Sequence, residues 1–175
     1  GSWGRDFEPK ENLTSLVDAV LKNTDTARLR LSSLEPWDIA PDFFNLWGDL
    51  RLARHLHLPL QSGSGATLKR MARKITPKAY ADLLKTARSA IPGVAITTDI
   101  IVGFPGETEA EFAESLTFVK EMNFSRGHVF TYSERTGTAA ALFSDSVPAQ
   151  DFLNLVSLIF SFLCLFDIRA VHQHQ

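Results

Sequence analysis

Residues 94–102, Val-Ala-Ile-Thr-Thr-Asp-Ile-Ile-Val, are rich in β-branched and apolar side chains and predict a buried strand. The strand ends in Gly103-Phe104-Pro105-Gly106-Glu107-Thr108, a turn whose glycines and proline fix its backbone path. Thr108 and Glu111 then have the spacing of a capping box, which predicts the start of a helix. The apolar stripe of that helix consists of Phe112, Leu116, Val119 and Met122. A strand, a short turn and a helix make one βα unit of a parallel sheet.

The same order of strand and helix recurs on both sides of this unit. Alternating side chains predict further strands at 28–34, 54–61 and 128–133. Helical spacing and capping residues predict helices at 13–21, 42–47, 66–73 and 77–90, with Asn12 and Thr76 as caps of the first and last. About four strands are too few to close an eight-stranded barrel. The expected fold class is therefore α/β, as a partial parallel βα barrel or a fragment of one.

Composition limits the possible classes of protein. The 175 residues are 45% hydrophobic and 22% charged with a net charge of −2, which fits one folded domain and excludes both wholesale disorder and binding of nucleic acid by bulk charge alone. The single cysteine, Cys164, excludes an internal disulfide framework and any cluster held by several thiolates of this chain. No secretory signal is recognisable at the N-terminus, so a cytoplasmic location is expected.

Polar side chains share one face of three predicted strands. By alternation His55, His57 and Gln61 lie on one face of their strand, whereas Leu56, Leu58 and Leu60 lie on the other. The corresponding residues of the two neighbouring strands are Arg28, Arg30 and Ser32, and Thr97, Asp99 and Gly103. Such a face is costly to bury unless its groups find partners. It is either a site for a polar ligand or a self-satisfied polar network inside a small barrel.

Three smaller features each have two interpretations. The pair His55 and His57 fits a metal site or an ordinary polar lining, and no third ligand is evident nearby. The turn Ser62-Gly63-Ser64-Gly65 can bind an anion on its amides or simply reverse the chain. The basic cluster of Lys69, Arg70, Arg73 and Lys74 is either a solvated helix face or a phosphate-contacting patch.

Five motifs together resemble one enzyme family, the radical S-adenosylmethionine (SAM) methylthiotransferases. They stand at residues 30–36 (RLSSLEP), 55–64 (HLHLPLQSGS), 68–74 (LKRMARK), 98–108 (TDIIVGFPGET) and 132–139 (YSERTGTA). The start of the chain and His128-Val129-Phe130 most resemble the branch that modifies N6-threonylcarbamoyladenosine at position 37 of tRNA. Neighbouring branches act on isopentenyladenosine in tRNA or on a ribosomal protein.

The resemblance implies an activity and its cofactors. A [4Fe–4S] cluster on a CxxxCxxC motif splits SAM to a 5′-deoxyadenosyl radical, and a methylthio group is then placed at C2 of an adenosine in the anticodon loop of tRNA. The motifs assign residues to the SAM-binding side of the cavity: Gln61, Ser62, Gly63, Ser64, Asp99, Gly103 and Glu107. They assign Arg30, Ser32, His57 and Arg135 to the substrate side. No residue is assigned a catalytic role or a role as metal ligand.

The sequence also departs from the family pattern. The CxxxCxxC motif is missing, so this chain is expected to be the later part of a barrel domain over residues 1–141 and inactive by itself. Residues 142–175 form a divergent tail whose apolar stretch at 152–166 predicts a helix too short to span a membrane. The alternative functions are a catalytically silent α/β module that binds a nucleotide or RNA, and a radical SAM methylthiotransferase that acts on a ribosomal protein.

Overall fold

The computed structural model describes Trp3, Gly4 and residues 6–143. The helix predicted at 152–166 and Cys164 lie outside the described residues, as does almost all of the predicted tail. The boundary at residue 141 stays a prediction.

A parallel three-stranded sheet forms the centre of the described chain. Its strands are β1 (His55–His57), β2 (Ala95–Val102) and β3 (Arg126–Thr131), in the spatial order β1-β2-β3. His57 is in register with Thr97, and Asp99 with His128. Parallel neighbours require crossover connections, and helices supply them here. The predicted parallel βα organisation is confirmed.

In the part of the chain that the structure describes, four α-helices accompany the sheet: α1 (Leu13–Asn23), α2 (Gly65–Arg70), α3 (Pro77–Ala90) and α4 (Glu109–Glu121). The predicted caps explain where three of them begin. The Asn12 side chain accepts from the amide of Ser15, and that of Thr76 accepts from the amide of Ala79. Thr108 and Glu111 form the predicted capping box at the start of α4. Short 3₁₀ helices lie at Pro36–Asp38, Pro41–Gly48 and Ala139–Leu142.

Two predictions from alternation and spacing are wrong in detail. Residues 28–34 form no strand, only an isolated parallel bridge between Leu29 and Leu52. Ser33 has a φ of 55°, which turns the chain out of an extended path, and Pro36 follows three residues later. The helix expected at 42–47 is a 3₁₀ helix that begins at Pro41. The described sheet thus has three strands, not four.

The strand predicted at 54–61 contains a bulge. Gln61 lies four positions after His57, whereas their partners Thr97 and Ile100 are only three positions apart. Pro59 has no N–H to donate, and the amide of Leu60 is bound by the hydroxyl of Thr98 at 3.1 Å. Because of this extra residue, the expected alternation from His57 to Gln61 does not hold, and Gln61 is in register with Ile100.

The apolar core lies between the sheet and α3 and α4. Its strand members are Leu56, Leu58, Leu60, Ile96, Ile100 and Val102, all at most 1% exposed. The helices contribute Tyr80, Leu84, Phe112 and Val119. The Leu58 carbonyl, in the bulge, accepts from the Tyr80 hydroxyl at 2.7 Å and from the Thr98 hydroxyl at 2.9 Å. In the described part of the chain, no helix has the length and apolar character needed to cross a membrane.

Candidate functional site

The sheet face opposite the core carries a carboxylate between two imidazoles. The Oδ2 atom of Asp99 lies 3.1 Å from Nε2 of His57, and its Oδ1 atom lies 3.2 Å from Nδ1 of His128. These residues come from the three neighbouring strands, which the register of β1, β2 and β3 places side by side. Sequence alternation correctly placed His57 and Asp99 on one face.

Hydrogen bonds continue from this group across β1. Nδ1 of His57 lies 2.9 Å from the hydroxyl of Thr97, and that hydroxyl lies 3.2 Å from Nε2 of His55. Arg30 donates through Nε to His55 at 3.2 Å. The result is a continuous polar chain across the sheet, Arg30–His55–Thr97–His57–Asp99–His128. The predicted polar face therefore satisfies many of its own groups.

Electrostatics favour an ionised Asp99. Burial acts to raise the pKa of the Asp99 carboxyl, but hydrogen bonds and positive charge from His57 and His128 outweigh it and hold the pKa below its ordinary value. Burial, together with the charges of Arg30 and His57, lowers the pKa of His55. Nowhere in the described ranges do three or more His, Cys, Asp or Glu side chains form a group suited to a metal ion.

The turn after β1 packs tightly against α4. The amide of Gly63 donates to Ser115 Oγ at 2.7 Å, and the amide of Ser64 donates to Ser62 Oγ at 3.1 Å. Ser62 and Ser64 are fully buried, and Gln61 is 9% exposed with a φ of 74°. Two turn amides are thus occupied within the protein, which favours the interpretation as a chain reversal. The Ser64 hydroxyl, however, is buried without a partner among the described residues.

The turn after β2 is closed by its own carboxylate. Glu107 accepts a hydrogen bond from the amide of Gly103 at 2.5 Å, and Gly103 and Gly106 have φ values of 71° and 75°. Burial raises the pKa of the Glu107 carboxyl, in spite of amide hydrogen bonds from Gly103 and Phe104. Glu107 therefore binds the backbone of its own loop, and its assignment to the SAM-binding side stays a prediction.

Half of the basic cluster on and after α2 is engaged in ion pairs. Both terminal nitrogens of Arg70 bind the carboxylate of Glu111 on α4, and Nη1 lies 3.0 Å from Oε1. Arg73 lies 3.5 Å from Glu35 and over the ring of Trp37. Lys69 and Lys74 are exposed. The cluster as a whole is therefore neither a purely solvated face nor a free phosphate-binding patch.

The remaining predicted site residues lie apart from the polar chain. Ser32 and Arg135 are exposed, in the segment before the first 3₁₀ helix and in the loop after β3 respectively. Sequence reasoning missed His128 and Phe130, which share the polar face on β3. Alternation along 128–133 puts His128 and Phe130 on one face of their strand, so the sequence pattern contains the information needed to find them.

Comparisons with known proteins identify the family and list similar proteins. The model of the radical SAM superfamily matches residues 4–119. The threonylcarbamoyladenosine tRNA methylthiotransferase MtaB of Bacillus subtilis is 43% identical over 148 residues, which cover 84% of this chain and 33% of that protein. The tRNA-2-methylthio-N(6)-dimethylallyladenosine synthase of Acidothermus cellulolyticus is 42% identical over 163 residues, covering 90% of this chain and 33% of the relative. The chain spans about a third of the length of these relatives.

Solved structures share the fold at low sequence identity. Methylornithine synthase PylB has a TM-score of 0.61 and 17% identity, with 94% of this chain and 46% of that chain covered. Streptococcus suis SuiB, bound to S-adenosylmethionine, has a TM-score of 0.58 and 15% identity, with 91% of this chain and 36% of that chain covered. The predicted fold class, a part of a parallel βα barrel, is confirmed.

Proposed function

The chain belongs to the radical SAM superfamily, and on that basis we propose that it supplies the later strands of the catalytic barrel of a tRNA methylthiotransferase. The observation that carries the proposal is the identity of 43% and 42% to two tRNA methylthiotransferases over more than four fifths of the chain. The proposed substrate is an adenosine at position 37 in the anticodon loop of tRNA, modified at C2. The proposed location is cytoplasmic.

The residues at the strand ends fit S-adenosylmethionine. The Ser64 hydroxyl is buried without a described partner. A polar ligand that satisfied this hydroxyl would remove the cost of leaving it unpaired. We assign Gln61, Ser62, Gly63 and Ser64, together with Asp99, Gly103 and Glu107, to the side of the cavity that holds SAM. SAM held by these residues would supply the radical chemistry that the resemblance implies.

The residues of this chain have different parts in that site. Glu107 holds the turn after β2 through the amide of Gly103, and it thereby orients the backbone at the strand end. Asp99 and His57 offer fixed polar groups deeper on the same face. Arg30, Ser32, His57 and Arg135 are assigned to the substrate side, where the exposed Arg135 is available to a phosphate.

The chain's residues do not fit the iron–sulfur cluster. Cys164 is its one cysteine, and a [4Fe–4S] cluster needs several thiolates. The cluster is therefore assigned to no residue of this chain.

A chimera tests the proposal. The corresponding segment of Bacillus subtilis MtaB is replaced by this chain, and tRNA from a strain without its own enzyme is analysed by mass spectrometry. If the chain belongs to the threonylcarbamoyladenosine branch, we expect this chimera to form 2-methylthio-N6-threonylcarbamoyladenosine. If it belongs to the dimethylallyladenosine branch, we expect a matching chimera with the Acidothermus cellulolyticus synthase to form 2-methylthio-N6-dimethylallyladenosine instead. A folded chimera that binds the cluster yet gives neither product would contradict the proposal. RNA binding without product would favour a catalytically silent module.

A further inference from the structure

His128 has one imidazole nitrogen fixed by Asp99 and the other unused. Because an ionised carboxylate only accepts hydrogen bonds, the Nδ1 atom of His128 that faces Asp99 must carry its proton. In the neutral ring the Nε2 atom is then an acceptor. No hydrogen bond joins Nε2 to a residue that the structure describes, and the His128 side chain is 42% exposed.

The rest of the polar chain fixes the other side of Asp99. His57 donates through Nε2 to Asp99, so in its neutral form its Nδ1 accepts from the Thr97 hydroxyl. That hydroxyl is then free to accept from Nε2 of His55. Each donor in this series finds an acceptor, which holds the Asp99 carboxylate in one orientation and makes Asp99 the positioning residue of His128.

An aromatic ring stands next to the unused nitrogen. Phe130 is two residues further along β3, on the same face as His128, and their ring centroids are 6.2 Å apart. Phe130 is 38% exposed on the sheet face opposite the core, so its ring is available for stacking. A flat heterocycle that carries an N–H group would stack on Phe130 and donate to Nε2 of His128.

We propose that Phe130 and His128 together bind a purine ring, with Phe130 as the stacking surface and Nε2 of His128 as the acceptor of a purine N–H. This inference rests on the proposed function, because that function brings two adenines to this face of the sheet. One is the adenine of SAM and the other is the target adenosine of the RNA. Stacking on one aromatic side chain changes the affinity for a base by about tenfold.

The test uses the full 175-residue chain with ¹⁵N-labelled histidine. The ¹⁵N shifts should show that neutral His128 carries its proton on Nδ1, and Asp99→Asn should convert it to a mixture of tautomers. S-adenosylhomocysteine and an RNA stem-loop with adenosine at position 37 are then titrated separately. We expect at least one of them to perturb His128, with an affinity reduced about tenfold in His128→Ala and in Phe130→Ala. Thr131→Ala, an exposed change on the same strand and the opposite face, should leave the affinity unchanged.

The two probes separate the sources of the purine. A His128 response to S-adenosylhomocysteine alone assigns the site to the cofactor, and a response to the stem-loop alone assigns it to the RNA. If neither probe perturbs His128, or if both variants bind as the parent does, the inference is wrong. Because the readout is binding by this chain, such a failure is distinct from the absence of methylthiolated tRNA in the chimera.

Discussion

The amide of Gly63 donates to Ser115 Oγ over 2.7 Å, so the turn after β1 rests directly on helix α4. A Cβ atom at Gly63 would lie 2.7 Å from the Cβ of Phe118 and 2.8 Å from the backbone oxygen of Ser115. Real Cβ atoms do not approach other atoms so closely, and a helix backbone cannot yield as a flexible side chain can. The glycine is required here by the space available.

Replacing Gly63 by alanine is therefore expected to lower the free energy of unfolding by about 1–3 kcal/mol, the usual cost of overpacking. Urea denaturation followed by circular dichroism gives the value. Gly65→Ala, two residues along, is the matched control because the nearest atom to its added Cβ is 3.8 Å away. At Gly65, in the first turn of α2, alanine should be neutral or stabilising. Equal losses in the two variants would refute the close approach.

Because the pKa of Glu107 is raised in the folded chain, we expect its contribution to the free energy of unfolding to depend on pH. Its folded-state pKa is raised by burial, so between the ordinary and the raised pKa the folded chain binds more protons at this group than the unfolded chain does. The contribution of Glu107 to stability therefore falls as pH rises through that interval. Glu107→Gln cannot ionise, and its amide oxygen can still accept from Gly103.

The stability of Glu107→Gln relative to the parent should consequently increase as the pH is raised from about 4 to about 8. Chemical denaturation at several pH values measures the difference. Glu114→Gln, at an exposed position on α4, controls for the loss of one negative charge. A difference for Glu107→Gln that does not change with pH would count against burial as the cause of the raised pKa.

The ion pair of Arg70 and Glu111 links α2 to α4 and is expected to stabilise both. It has two parallel contacts, and Glu111 also accepts from the amide of Thr108 at 3.0 Å. A double-mutant cycle with Arg70→Met and Glu111→Gln should give a coupling free energy of about 1 kcal/mol. The exposed pair Lys78–Asp82 on α3 serves as the comparison and should show a much smaller coupling. Equal coupling free energies for the two pairs would contradict a larger stabilisation by the pair that links α2 to α4.

Asp99 and Ile100 are neighbours in sequence, but their substitutions should have different effects. Ile100 is 1% exposed in the core, so Ile100→Ala should destabilise the fold by about 2–5 kcal/mol. Asp99→Asn should instead lower the rate of tRNA methylthiolation in the chimera about tenfold or more, because it disrupts a polar contact. Activities are compared at equal folded fraction, with 5′-deoxyadenosine as a second product. Full activity of Asp99→Asn, with loss only in Ile100→Ala, would contradict the assignment of Asp99 to the site.

The elements predicted correctly are those with local signals. Asn12, Thr76 and Thr108 each accept a backbone hydrogen bond at the start of a helix, and this requires only residues three positions away. The prediction of strand β2 likewise depends on a local signal, the long run of β-branched and apolar residues at 94–102. The faces of His57 and Asp99 then followed from a period of two.

The errors come from interactions between distant parts of the chain. The positive φ of Ser33 has no local marker, so residues 28–34 were predicted as a strand. The bulge before Gln61 depends on Thr98, whose hydroxyl replaces a backbone partner from another strand. Likewise, nothing near Arg70 in the sequence indicates its pairing with Glu111. Such contacts are decided by tertiary structure.

The parallel register of the sheet has a consequence for the order of folding. His55 pairs with Ala95 across a connection of about forty residues, and Thr97 pairs with Arg126 across about thirty, so the sheet contains no local strand pair. Chain closure must precede pairing, and formation of the sheet should therefore be slow compared with formation of α3 or α4. During synthesis, Leu56, Leu58 and Leu60 leave the ribosome well before β2 can pair with them, and in that interval they are a candidate binding segment for chaperones.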